Sequence, residues 1–373
     1  RLWTWSPTKQ RESAATAVRG VSISWLFPHS LSPPPRRLHP RPATCLSFKS
    51  LTLTRAWPFR QAAKSAAPPP HTPSLKTAFK DDFFIGTALN NAQIEERIPG
   101  AAVLVPQQFN AVTPENIMKA EVMHPEWNRY NFDMSDKLVA YAKKHNIVVN
   151  AHTLIWHSQL PPFVRRMKDA DSVRLFFTEH INTIAGRYDG QVYSWDVVNE
   201  ALNEDGTMRK SIFLDKLGDD FVTEAFRLAE KASPKTELYY NDYNNEQPKK
   251  REGCLALVKK VQAAGVRIDG VGIQGHWHIG RVPLKDIEES ILAYHALGLK
   301  VMITELDIEM LPRNFQGADV NQRQASNPEL NPYANGIPDS LLQKQANDYA
   351  NLFKLFLKHK DKITRVTFWG VDD

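Results

Sequence analysis

Downstream of about residue 77, the apolar positions fall into two alternating textures. Short β-branched or aromatic runs lie at 84–89, 109–112, 147–153, 192–198, 238–241, 271–274, 301–305 and 366–369. Between them, apolar residues recur every three to four positions at 136–145, 172–188, 219–232, 249–264, 284–297 and 341–360, with a shorter segment near 100–107. The short runs predict strands, and the longer three-to-four spacing predicts amphipathic helices. Strands that alternate with helices pair in parallel, because each return crossing is made by a helix. Eight such repeats in roughly 300 residues predict closure into an α/β fold of the (β/α)8 barrel type, a single domain over 77–373.

One connection departs from this rhythm. Residues 311–340, rich in Asn, Pro, Gln and Gly, follow the seventh strand. Connections of that length inside a compact domain are uncommon and tend to be functional. This one is expected to overhang the face where the strands end.

Residues 1–76 carry neither period. They hold 12 of the 25 prolines, and 12 Lys/Arg against one acidic residue, Glu12. Such a segment buries too little apolar surface to offset its ordering entropy, so a disordered Pro/Arg-rich leader is expected. Its apolar stretch VSISWLF at 21–27 fits a signal-peptide core poorly, with Pro28 and further arginines behind it. The leader also accounts for the charge. The whole chain is +6, the leader alone is +11, and the remainder, with 35 basic and 40 acidic residues, is −5. The folded part is therefore mildly acidic and shows no basic footprint for nucleic acid. No apolar run approaches a membrane span. Cys45 and Cys254 supply neither a disulfide framework nor a thiolate metal site, and Cys254 reads as a buried free thiol. A monomer is expected.

Chemistry gathers where the strands end. The fourth run reads VYSWDVVNE and closes on Asn199 and Glu200; the seventh reads LKVMITELD and closes on Glu305 and Asp307. A lone glutamate is ordinarily a solvated loop residue. Two, each ending an apolar run, fall where a barrel presents its catalytic groups. Two carboxyl groups across a barrel mouth are the machinery of glycoside hydrolysis. The other runs add Glu115, Asn116 and Lys119 (FNAVTPENIMK), His152, Trp156 and His157 (AHTLIWHSQLP), Asn241 and Tyr243 (YYNDYN), Gln274 and His276 (GIQGHWH), and Trp369 (TFWGVDD). Carboxylates move protons and attack an anomeric carbon, amides and Lys bind hydroxyls, and aromatic rings cover the apolar faces of pyranoses. The spacing of His152, His157, His276 and His278 is unlike a metal motif, so no metal is expected. No glycine-rich phosphate loop is present, so no cofactor is expected either.

Taken together and in order, FNAVTPENIMK, HTLIWHSQLP, WDVVNEA, YNDYN, GIQGHWH, ITELDI and TFWGVDD resemble glycoside hydrolase family 10, the endo-β-1,4-xylanases. The resemblance covers about four-fifths of the chain and leaves out residues 1–76. It implies a (β/α)8 catalytic domain that hydrolyses internal xylan linkages with retention, with xylan and xylo-oligosaccharides as partners. An extracellular or periplasmic location goes with that substrate. Matched by position, Glu200 corresponds to the general acid/base and Glu305 to the nucleophile. Asn199 corresponds to the residue that bonds the 2-hydroxyl of the reacting sugar, His276 to the histidine beside the nucleophile, and Asp307 to the carboxylate that orients it. Glu115, Asn116, Lys119, His152, Trp156, Gln274 and Trp369 correspond to glycone-binding residues, and Tyr243 to a tyrosine near the scissile bond. Trp277 is the aromatic best explained by packing alone. The family pattern continues past TFWGVDD into a Ser-Trp segment and a last helix, which this sequence lacks. The expectation is a barrel without its eighth helix, with apolar groups of the first and last strands facing water.

Overall fold

The computed structural model describes residues 73–311, 331–333 and 336–371. The leader up to residue 72, most of the connection at 311–340, and Asp372 and Asp373 lie outside the described residues. Nine strands follow one another among those described. They are β1 Phe84–Leu89, β2 Ala111–Pro114, β3 Val148–Trp156, β4 Ser194–Asn199, β5 Glu237–Asp242, β6 Gly270–Ile273, β7 His276–His278, β8 Lys300–Glu309 and β9 Ile363–Phe368. Eight of them form a closed parallel ring. β1 pairs with β2 and β9, and the ring closes where β6 meets β8, Gly270 opposite Lys300. The three-residue β7 stands apart from that ring and pairs with the C-terminal half of β8, His276 opposite Asp307.

Seven helices make the outer layer: Pro99–Gln108, Asp133–His145, Ala170–Arg187, Phe221–Ala232, Pro248–Ala263, Leu284–Ala296 and Asp339–Lys358. All seven were predicted, with bounds within three residues of those observed among the described residues. Phe221–Ala232 buries Phe221, Val222, Ala225, Phe226 and Ala229 along one face. Asp169 caps Ala170–Arg187 by accepting the Ser172 N–H at 2.7 Å, and Asn146, left-handed at φ 53°, ends Asp133–His145. The second strand is displaced from its prediction. It starts at Ala111 because Phe109 caps the preceding helix, with its N–H bonded to Val105 O at 3.0 Å. Five short helices of four to six residues among those described escaped prediction, since one turn shows no period.

The apolar faces expected to lie bare beside β1 and β9 are partly covered by residues upstream of β1. Phe79 and Phe83 pack against Phe353 of the last helix at 5.1 and 6.4 Å between ring centroids, and Phe353 packs on Phe368 at 6.1 Å. All four rings are buried. The packed unit reaches back to Leu75, whose N–H donates to Gln108 Oε1 at 2.9 Å, while Lys76 Nζ donates to Pro106 O at 2.5 Å.

Candidate active site

The C-terminal ends of the ring strands converge on two buried carboxyl groups. Glu200 directly follows β4 in a left-handed conformation, φ 55°, that a non-glycine residue adopts only under constraint. The constraint comes from β5. The Glu200 N–H donates to Asn241 O at 2.9 Å, and the next N–H, of Ala201, donates to Tyr240 Oη at 3.1 Å. Tyr240 in turn donates to Asp242 Oδ2 at 2.5 Å, and Asp242 Oδ1 pairs with Lys250 Nζ at 2.9 Å, both side chains without exposure. Lys250 is held above its ordinary value, because the charges of Asp242, Glu204 and Tyr243 outweigh the opposing effect of burial. This relay was missed in the sequence. Its available signal was a lysine in register with the apolar face of its helix, alongside Cys254, Leu257, Val258 and Val261.

The Glu200 carboxyl touches neutral donors. Trp156 Nε1 donates to Oε2 at 3.0 Å; Gln274 Nε2 and Asn199 Nδ2 donate to Oε1 at 3.1 and 3.3 Å. Glu305, on β8, is held otherwise. Asn241 Nδ2 donates to its Oε1 at 2.9 Å, and His276 Nε2 lies 3.2 Å from its Oε2. His276 Nδ1 lies 2.7 Å from Asp307 Oδ2. With a carboxylate at each ring nitrogen, His276 carries two N–H groups and is an imidazolium. Burial opposes that charge, but Asp307 and Glu305 outweigh it and hold the ring up at about 10. Burial likewise opposes ionisation of Glu305, yet the hydrogen bonds from His276 and Asn241 and the nearby histidines hold its carboxyl below the usual range. Gly272 makes this possible, since a Cβ there would strike the Asn241 side chain.

Asn241 joins the two carboxyl groups. Its Nδ2 donates at 2.9 Å both to Glu305 and to Asn199 Oδ1, which also accepts from Gln274 at 3.3 Å. One amide network therefore runs from Glu305 to Glu200.

The remaining predicted residues surround this pair. His152 Nδ1 donates to Asp196 Oδ2 at 2.9 Å, a carboxylate also bonded by Asn150 at 3.1 Å. Lys119 Nζ donates to Asn116 Oδ1 at 3.0 Å and Gln159 Oε1 at 2.9 Å, and lies 4.8 Å from the Trp156 ring. Burial pulls Lys119 down, against the charges of Glu305, Glu200, Glu115 and Glu121. Trp369, half-buried, stands edge-on to His152 at 5.9 Å and to His276 at 6.4 Å. Tyr243 is buried, with its hydroxyl accepting from Arg209 at 2.6 Å and Lys250 Nζ 3.7 Å from its ring centre. Its hydroxyl is thus already engaged. Gln159 and Arg209 are further site residues that sequence reasoning passed over, because each lies in a loop with no strand to mark it. Trp277 is buried, as packing predicted, but its indole N–H donates to Glu246 at 3.0 Å.

Residues 74–373 match the family description "Glycosyl hydrolase family 10". The chain is 41% identical over 317 residues to the Endo-1,4-beta-xylanase A of Xylanibacter ruminicola, spanning 83% of this chain and 85% of the relative. Among solved structures, a GH10 endoxylanase from a sugarcane soil metagenome is 39% identical, with a TM-score of 0.76 over 80% of this chain and 88% of that one. The xylanase 10B of Thermotoga petrophila, solved with xylobiose, is 30% identical, with a TM-score of 0.70 over 80% and 85%.

Proposed function

Because the chain belongs to glycosyl hydrolase family 10, we propose that it hydrolyses internal β-1,4 bonds of xylan by a retaining double displacement, with Glu305 as nucleophile and Glu200 as general acid/base. The observation that carries this reading is the asymmetry of the two carboxyl groups. Glu305 is charge-paired with an imidazolium; Glu200 is touched by neutral donors, and one amide network holds both. In the first step Glu305 attacks the anomeric carbon while Glu200 gives its proton to the departing oxygen. In the second, Glu200 takes a proton from water, whose oxygen attacks the same carbon and releases Glu305. Asn199 binds the 2-hydroxyl of the reacting sugar. Glu115, Asn116, Lys119, His152, Trp156, Gln274 and Trp369 bind the glycone. A polymer substrate fits an extracellular or periplasmic place of action. Treatment with a 2-deoxy-2-fluoro-xylobioside should trap a glycosyl ester on Glu305, and nascent products from xylan should carry the β-configuration. An α-configured first product, or label on another residue, overturns the assignment. A faster rate on β-1,4-glucan than on xylan overturns the substrate.

A further inference from the structure

The imidazole that holds Glu305 sits on a strand with little to hold it. β7 has three residues, lies apart from the closed ring, and pairs through its backbone with β8. Its central residue, Trp277, points to the side opposite His276 and is 5% exposed. The indole packs over Gly275, where an added Cβ would lie 3.3 Å from the ring. Its one polar atom, Nε1, donates to Glu246 Oε1 at 3.0 Å. Glu246 is 1% exposed, and its Oε2 has no partner among the described residues.

Glu246 is itself firmly placed. Its carbonyl accepts from Ser290 Oγ at 3.1 Å and from Arg251 at 3.3 Å, on the two helices that follow β5 and β6. The preceding residue, Asn245, is fixed by Tyr294 Oη on its carbonyl at 2.7 Å, and its own amide donates to Gly272 O at 2.9 Å. The outer helices are thus connected through Glu246 and the indole to the short strand that carries His276.

We propose that Glu246 is a positioning residue for the reaction, fixing Trp277 and thereby the contact of His276 with Glu305. The inference rests on the reading of Glu305 as nucleophile given above. Burial pushes Glu246 up, against the hydrogen bonds it receives from Trp277 and from its own backbone N–H. Its Oε1 acts as an acceptor for the indole N–H, a task an amide oxygen can also perform. Losing the acceptor leaves the indole N–H buried and unpaired, which frees β7 to shift. Displacements of about 1 Å at a reacting centre cost up to about 100-fold in rate.

The test uses the full chain. Glu246→Gln should keep kcat within about twofold of the parent. Glu246→Leu and Trp277→Phe should each lower kcat by about 10-fold or more, with KM little changed. In both, the acid limb of kcat/KM should move to higher pH, because a displaced His276 no longer holds Glu305 down. The double variant should be no slower than the slower single variant, since both break the same link. Leu257→Ala, a core truncation in the neighbouring helix, serves as the control. It should lower the thermal midpoint and leave the acid limb in place. Should Glu246→Leu fail to fold, Trp277→Phe keeps the ring and reads the same link. The proposal is overturned if Glu246→Gln is as slow as Glu246→Leu, if the acid limb stays in place, or if the two losses add. Label on Glu305 in the parent protein separates these failures from failure of the catalytic assignment.

Discussion

The two sides of the barrel rim hold their carboxyl groups by different means. On the β5–β8 side, Glu305 meets an imidazolium that Asp307 holds charged, and that charge outweighs the burial of Glu305. On the β3–β4 side, Glu200 is touched by an indole and two amides, while charge is used one layer behind it. There the Lys250–Asp242 pair and Tyr240 brace the left-handed turn that aims Glu200. The difference fits the work proposed for each group. A nucleophile needs one charge state, so a fixed countercharge helps it. A group that gives and regains a proton in each cycle must exist in both states, so neutral contacts serve it, and rigidity is built into its backbone instead.

Removing the function of each side should separate them most sharply. Glu305→Gln should lower turnover on every glycoside by on the order of 10⁴-fold or more, as losing a nucleophile does elsewhere. Glu200→Ala should stop xylan hydrolysis with a loss of about 10²–10⁴-fold, while sparing the glycosylation step on aryl xylosides, whose leaving groups need little protonation. Equal losses of both activities in Glu200→Ala would erase the contrast. Lys250→Met tests the bracing of the turn. It leaves Asp242 buried without its cation, and removing one member of such a pair costs about 3–5 kcal/mol. The expected readout is a lowered denaturant midpoint together with slower xylan cleavage; an unchanged midpoint would show the pair to be dispensable.

The smallest effect is a pH dependence on the Glu305 side. His276 is raised on folding from 6.5 to about 10. A raised group contributes stability that is complete below its unfolded value and lost as pH rises through its folded value. The thermal midpoint should therefore decline between pH of about 6.5 and about 10, and Asp307→Asn, which removes the main countercharge, should flatten that decline. A decline of the same size in Asp307→Asn would remove His276 as its source.

The strand ends were legible because each candidate group lies at or just past the end of an apolar run and the fold sends all such ends to one rim. Asn199, Glu200, Gln274, His276, Glu305 and Asp307 are brought together in that way. The residues that brace them were not legible, since their partners are remote in sequence. Lys250 and Asp242 meet across a strand–helix boundary, and Glu246 and Trp277 are 31 positions apart. Arg365 reads as an ordinary charge in a strand, yet it is fully buried in β9, and no partner for its guanidinium nitrogens lies among the described residues.

Local periodicity and strand-end chemistry, both short-range properties, were thus enough to predict the barrel and to place Glu200 and Glu305 on one rim. Which charges face which group depended on closure of the ring. Only closure sets β1 beside β9 and β6 beside β8 at a defined register, and electrostatic contacts depend on distances that the sequence does not give.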